Sequence, residues 1–141
     1  MDKVDPKTIV AGNEKILDDN GEWPNFHDAE VLDLHIWRGD MRPDDNVYIG
    51  PQITIKLDLI ALEKPFVVVL RFDDCSSIVM PDFNHENPIM DLEFGIEERG
   101  TFKSGKPLPP YILVHFLPAF GFELSFKCFK ASVIGIEESM E

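Results

Sequence analysis

Several stretches of this chain alternate apolar and polar residues with a period of two, and that alternation limits the fold more than any other feature. Leu32, Leu34 and Ile36 interleave with Asp33, His35 and Trp37; Ile53, Ile55, Leu57 and Leu59 with Thr54, Lys56 and Asp58; Met90, Leu92, Phe94 and Ile96 with Asp91, Glu93, Gly95 and Glu97. Phe122, Leu124, Phe126 and Cys128 form a further apolar set near the end. Only an extended strand sends every second side chain to the same face, so these stretches read as half-buried strands. "FVVVLRF" (Phe66 to Phe72) is apolar on both faces except at Arg71, which suits a central strand covered on both sides. "SSIVM" and "YILVHFL" supply further strands.

The period shifts toward helical spacing only near the start. Ile9, Ile16 and Leu17 suit a short helix over Thr8 to Asp19, which Asn20, Gly21 and Pro24 then end. The expected fold is therefore α+β and mainly β: a single, mostly antiparallel sheet of about seven strands, with the helix packed on it. At 141 residues the chain suits one domain, with residues 1–12 and 137–141 as flexible ends. Two long loops interrupt the strands, "GDMRPDDNVYIGP" and "ERGTFKSGKPLPP", and the second is expected to be an extended hairpin tip rather than a mobile flap.

Charge narrows the function. The chain has 26 acidic and 13 basic residues, a formal net of −13, which repels phosphate backbones and anionic lipids and attracts a basic partner. Nucleic acid and membrane surfaces are thus expected to be excluded. The N-terminus "MDKVDPKTIVAGNEK" has no apolar leader core and no apolar run is long enough to span a bilayer, which points to a cytoplasmic protein. Cys75 and Cys128 lie inside strand-like runs without metal-finger spacing and read as buried free thiols.

The densest group of chemically capable side chains is "FHDAE", with His27, Asp28 and Glu30 just before a strand. One reading is structural: Asp28 accepts backbone N–H groups at the bend after Pro24 and Asn25, and His27 pairs with a neighbouring carboxylate or carbonyl. The other is catalytic, with His27, Asp28, Glu30 and His85 as a metal-dependent hydrolase site, joined by Glu86 and the Asp73–Asp74 pair. The His27–Glu30 spacing serves metals on a helix, and here it leads into a strand. No other enzyme motif is present, so no catalytic residue and no cofactor is expected. Trp37, a large aromatic beside Asp33 and His35, has the makings of a binding anchor.

Three blocks, "EWPNFHDAEVLDLHI", "VVVLRFDDCSSIVMPDFNHENPIMDLEF" and "YILVHFLPAFGFELSFKCFKASVIGI", resemble the successive blocks of the immunity protein 50 family of bacterial polymorphic toxin systems. The resemblance runs from about Asn13 to Ile136, and its most specific pieces are Phe26 to Glu30, Phe83 to Asn87 and Gly121 to Cys128. It implies a small, non-enzymatic cytoplasmic protein that binds and neutralises a cognate toxin, and it assigns no roles to individual residues. The loop Gly100 to Pro110 and the acidic tail Glu137 to Glu141 depart from the family pattern.

The leading expectation is an immunity protein whose acidic surface masks a basic toxin domain such as a nuclease. Asp33, Trp37, Asp58, Asp91 and Glu93 are the expected contacts, on outward strand faces, while His27, Asp28, Glu30 and His85 form a structural motif. The alternatives are the metal-dependent hydrolase and a β-rich domain that binds a small molecule or peptide.

Overall fold

The computed structural model describes residues 2–39 and 50–139, so the expected loop after Gly39 falls outside the described residues from 40 to 49. Along the described residues run β1 (Val10–Ala11), α1 (Asn13–Asn20), β2 (Glu30–Trp37), β3 (Gln52–Asp58), β4 (Phe66–Asp73), β5 (Ser76–Val79), β6 (Ile89–Glu97), β7 (Tyr111–Pro118), β8 (Leu124–Cys128) and β9 (Lys130–Glu138). The class is α+β, mainly β, as the alternation predicts. The single sheet is not: a five-stranded sheet in the order β1-β9-β4-β3-β2 and a four-stranded sheet in the order β5-β8-β7-β6 replace it. Every pairing is antiparallel except β1 with β9.

Two sheets follow from the one-sided strands themselves. A lone sheet of such strands leaves a whole apolar face open, and an eight-residue helix is too short to cover it. Stacked face to face, the two sheets cover each other. The edge of the Phe72 ring on β4 meets Phe116 of β7 at 6.2 Å and Phe126 of β8 at 4.9 Å between centroids. All three rings are buried, each worth about 1.5–3 kcal/mol over an exposed position.

The chain passes between the sheets at two corners that the Phe129 amide ties together by donating to the Asp73 carbonyl at 3.1 Å. Asp74, in the left-handed region at φ 55, turns β4 toward β5, and Phe129 alone separates β8 from β9.

Four ladders shift register by one residue, and in three of them the shift turns an apolar side chain outward. In β2 the shift lies between Val31 and Asp33, so Val31 fills the core position expected for Leu32, which is 37% exposed. In β6 it lies between Ile89 and Asp91, burying Ile89 and leaving Met90 44% exposed. On β9, Ile134 is skipped opposite Val69 and Leu70 and is 41% exposed.

The helix begins later than expected. Pro6–Thr8 forms a short 3-10 turn capped by the Asp5 side chain, which accepts the Lys7 N–H at 3.0 Å. Val10 and Ala11 then pair with β9. Gly12, at φ 74, turns the chain so close to β9 that a Cβ there would lie 2.6 Å from the Val133 carbonyl oxygen. Only after it does α1 start, packing on β9 and burying Ile16. No helix among the described residues is long and apolar enough to cross a membrane.

Candidate functional site

The "FHDAE" and "FNHEN" segments meet at the start of β2. Asn25 opens the bend, its Oδ1 accepting the His27 N–H at 2.8 Å, and the Ala29 N–H closes it on the Phe26 carbonyl at 3.0 Å. Buried Phe26 anchors the bend against Trp23, with centroids 5.7 Å apart. Three backbone bonds then sew the segment to the start of β6: Asp28 N–H to Ile89 O at 2.9 Å, Ile89 N–H to Ala29 O at 3.0 Å, and Val31 N–H to Asn87 O at 3.0 Å. Glu30 adds a fourth link, its Oε1 accepting the Asn87 N–H at 2.7 Å.

Asn87 holds the other half of the junction. It is buried; its Oδ1 accepts the Asn84 N–H and its Nδ2 donates to the Asn84 carbonyl, both at 2.7 Å. This pair of bonds closes the "FNHEN" turn on itself. Asp28 therefore does not serve as the acceptor of backbone N–H groups that the sequence suggested; Asn25, Glu30 and Asn87 do that. Asp28 instead takes the left-handed conformation at φ 65, which Asp tolerates better than most residues, and its exposed carboxylate lies 3.1 Å from His27 Nδ1. Asn25 and Asn87 escaped the sequence reading because an asparagine in a turn-rich stretch is ordinary until its partners are known.

At this junction lies a groove of about 640 Å³, walled by Asp28, Glu30, Asp58 and Glu86 around Leu32, Ile60 and Pro88. Glu30 and Asp58 are direct cross-strand neighbours, an arrangement of like charges that costs stability unless other groups solvate them. The Asn87 N–H does so for Glu30, and the Ser139 hydroxyl donates to Asp58 Oδ1 at 2.8 Å. Asp58 was expected to face outward as a contact residue; it sits on the outward face but is only 1% exposed, under the end of β9.

His85 lies exposed in the "FNHEN" turn and does not line the groove. Asp73 and Asp74 are at the other end of the five-stranded sheet, since Asp58 faces Val67 and Asp73 is six residues further along β4, roughly 20 Å at the usual strand rise. There Asp73 accepts from Gln52 Nε2 at 2.9 Å and Asp74 from the Gly50 N–H at 2.7 Å. Among the described residues no three His, Cys, Asp or Glu side chains gather closely enough to hold a metal ion.

The other expected contact residues are divided between two surfaces. Asp33 and Trp37 are exposed on β2, opposite Lys56 and Gln52, and Trp37 retains 43% of its surface. Asp91 and Glu93 are on the outward face of β6 in the other sheet, where Asp91 Oδ1 accepts the Leu92 N–H at 2.8 Å and Glu93 pairs with Lys3. Outer faces of stacked sheets point apart, so these carboxylates do not make one patch with Asp33.

The remaining candidates have structural partners. His115 Nε2 lies 2.7 Å from Glu123 Oε2. Phe102 N–H donates to Lys106 O at 2.8 Å and Leu108 N–H to Gly100 O at 2.9 Å, which makes the loop between β6 and β7 a hairpin extension; Arg99 braces it over the Tyr111 and Phe129 rings. Cys75 and Cys128 are free and buried. Burial pushes the Cys75 thiol up to about 12, and burial likewise raises that of Cys128.

Comparison of the chain with protein-family models, characterised proteins and solved structures gives no match. The family resemblance therefore stands on the residues of the three blocks alone.

Proposed function

We propose that this chain is a protein-binding factor, an immunity protein that neutralises a basic toxin domain, with the groove at the start of β2 as the centre of the contact. The observation that carries the reading is the groove itself: four carboxylates and three apolar side chains line it, and five of these seven residues come from two of the blocks that bear the family resemblance. The apolar side chains suit the aliphatic stem of a lysine or arginine and the carboxylates suit its head. A net charge of −13 would steer such a partner in from a distance. Trp37, exposed further along the same strand, would serve as an anchor that excludes water from the contact. The reading gives the chain no bond-breaking step of its own.

Co-expression with any toxin domain encoded beside it, followed by pull-down, tests the proposal. Capture that weakens steeply between low and moderate salt supports it. Salt-insensitive capture removes the electrostatic mechanism. Turnover of a substrate by the purified chain, abolished by replacing His27 or Glu30, overturns the reading as a whole.

A further inference from the structure

Two stacked sheets have four edges, and each edge strand offers unpaired backbone groups to any passing extended chain unless something blunts it. Three of these edges are blunted. β1 is two residues long and gives way to α1. β5 is four residues long, shifts register, and contains Ser77 in the left-handed region at φ 53. β6 is covered by the N-terminal segment, where the Val4 N–H donates to Phe94 O at 2.9 Å and Lys3 bridges to Gly95.

The fourth edge is β2. Its first turn is covered by Asn87 to Ile89, but that cover ends at the Leu32 bulge. From Asp33 to Trp37 the only strand paired with it among the described residues is β3. This stretch contains no lysine or proline of the kind that protects natural edges, and both Ile36 and Trp37 stay more than two-fifths exposed. At its beginning stand the carboxylates of the groove, and Asp33 continues the negative charge along it.

We infer that the partner binds by strand addition: an extended, cationic segment of it pairs with the free edge of β2 at Asp33 to Trp37 and sends a lysine or arginine into the carboxylates of the adjoining groove. The inference rests on the reading of the chain as a binder of a basic protein, and specifies how it binds. Backbone hydrogen bonds would supply affinity, while Ile36, Trp37 and the groove would read alternate side chains of the added strand. Charge selects the occupant. A second copy of this chain brings another −13, whereas a basic segment meets the carboxylates of the groove and Asp33 at the start of the path.

The test uses the full chain and a capped peptide of about nine alternating lysines and valines, a usual strand length. A second peptide carries N-methyl groups on alternate residues, which keep every charge and remove the donors on one edge. Calorimetry should show the methylated peptide binding at least about tenfold more weakly, and hydrogen exchange of amides 33–37 should slow on binding the parent peptide. Glu86→Gln and Trp37→Ala should each weaken the parent peptide severalfold. Equal binding of the two peptides overturns strand addition and leaves the charge-based reading standing, and no binding by either at about 1 mM overturns the inference too. A dimer that Ile36→Lys converts to monomer would make a second copy the occupant and overturn it. Failure to capture the neighbouring toxin domain, by contrast, bears on the functional reading whatever the peptides do.

Discussion

Asn87→Ala removes the clamp that closes the "FNHEN" turn, and its cost can be worked from the structure. The side chain makes two neutral hydrogen bonds, both to the backbone of Asn84. Such bonds are worth about 0.5–1.5 kcal/mol each, for a range of about 1–3 kcal/mol. Asn84 is exposed, so its freed N–H and carbonyl can turn to water, which holds the expected loss near 2 kcal/mol rather than at the top of the range. Unfolding entropy of about 2.1 cal/mol/K per residue gives roughly 300 cal/mol/K for this 141-residue chain, so the midpoint should fall by about 7 °C. Circular dichroism melts and urea titrations measure it, the latter with an unchanged slope.

Asn84→Ala is the matched control. Both bonds use its backbone, which alanine keeps, so that variant should stay within about 0.5 kcal/mol of the parent. Hydrogen exchange adds a local readout: the Val31 amide, bonded to the Asn87 carbonyl, should exchange faster in Asn87→Ala and not in Asn84→Ala. An Asn87→Ala protein as stable as the parent, or an Asn84→Ala protein equally destabilised, refutes the assignment of Asn87 as the clamp.

Four other outcomes are expected. Because Asp28 is held at φ 65, Asp28→Ala should cost about 1 kcal/mol while Asp28→Gly should not; equal losses in urea titrations would mean that the carboxylate's contacts matter, not the backbone. Gly12→Ala should be worse than Gly21→Ala, since both positions have positive φ but only at Gly12 would the new Cβ strike backbone, 2.6 Å from Val133 O; similar melting points would refute this. The Cys75 thiol ionises near 12 when folded and near 9.0 when unfolded, so its contribution is intact below pH 9 and is lost as pH climbs toward 12; Cys75→Ala should flatten that alkaline decline in melting point. On the proposed function, Trp37→Ala should lower partner binding with a stability change below about 1 kcal/mol, and a larger loss would place the ring in the core.

The sequence disclosed the elements better than their assembly. Alternation marked β2, β3, β6 and β8 directly, and the doubly apolar run marked β4 as central, because those signals are local. The division into two sheets was hidden, since the chain changes sheets at Asp74 and Phe129 with no glycine or proline to mark either corner. The groove was half visible. Asp28 and Glu30 stood out in the densest group of chemically capable side chains, but Asp58 and Ile60 come beside them only in the fold, and no sequence spacing announces that.

The register shifts in β2, β6 and β9 explain most of the misplaced side chains, and the one in β2 does more. A period-two reading assumes that each strand keeps step with its neighbour, so an inserted residue moves every earlier side chain to the opposite face. In β2 that insertion puts Val31 in the core and turns Leu32 out beside Glu30, where it becomes a wall of the groove. The same bulge ends the cover from Asn87 to Ile89, and the stretch of β2 that pairs only with β3 among the described residues begins just beyond it. Without the extra residue, Leu32 would point inward and the carboxylates would lose one of their three apolar neighbours. The position where alternation fails is thus the position where the proposed binding surface is built, as expected when local regularity yields to function.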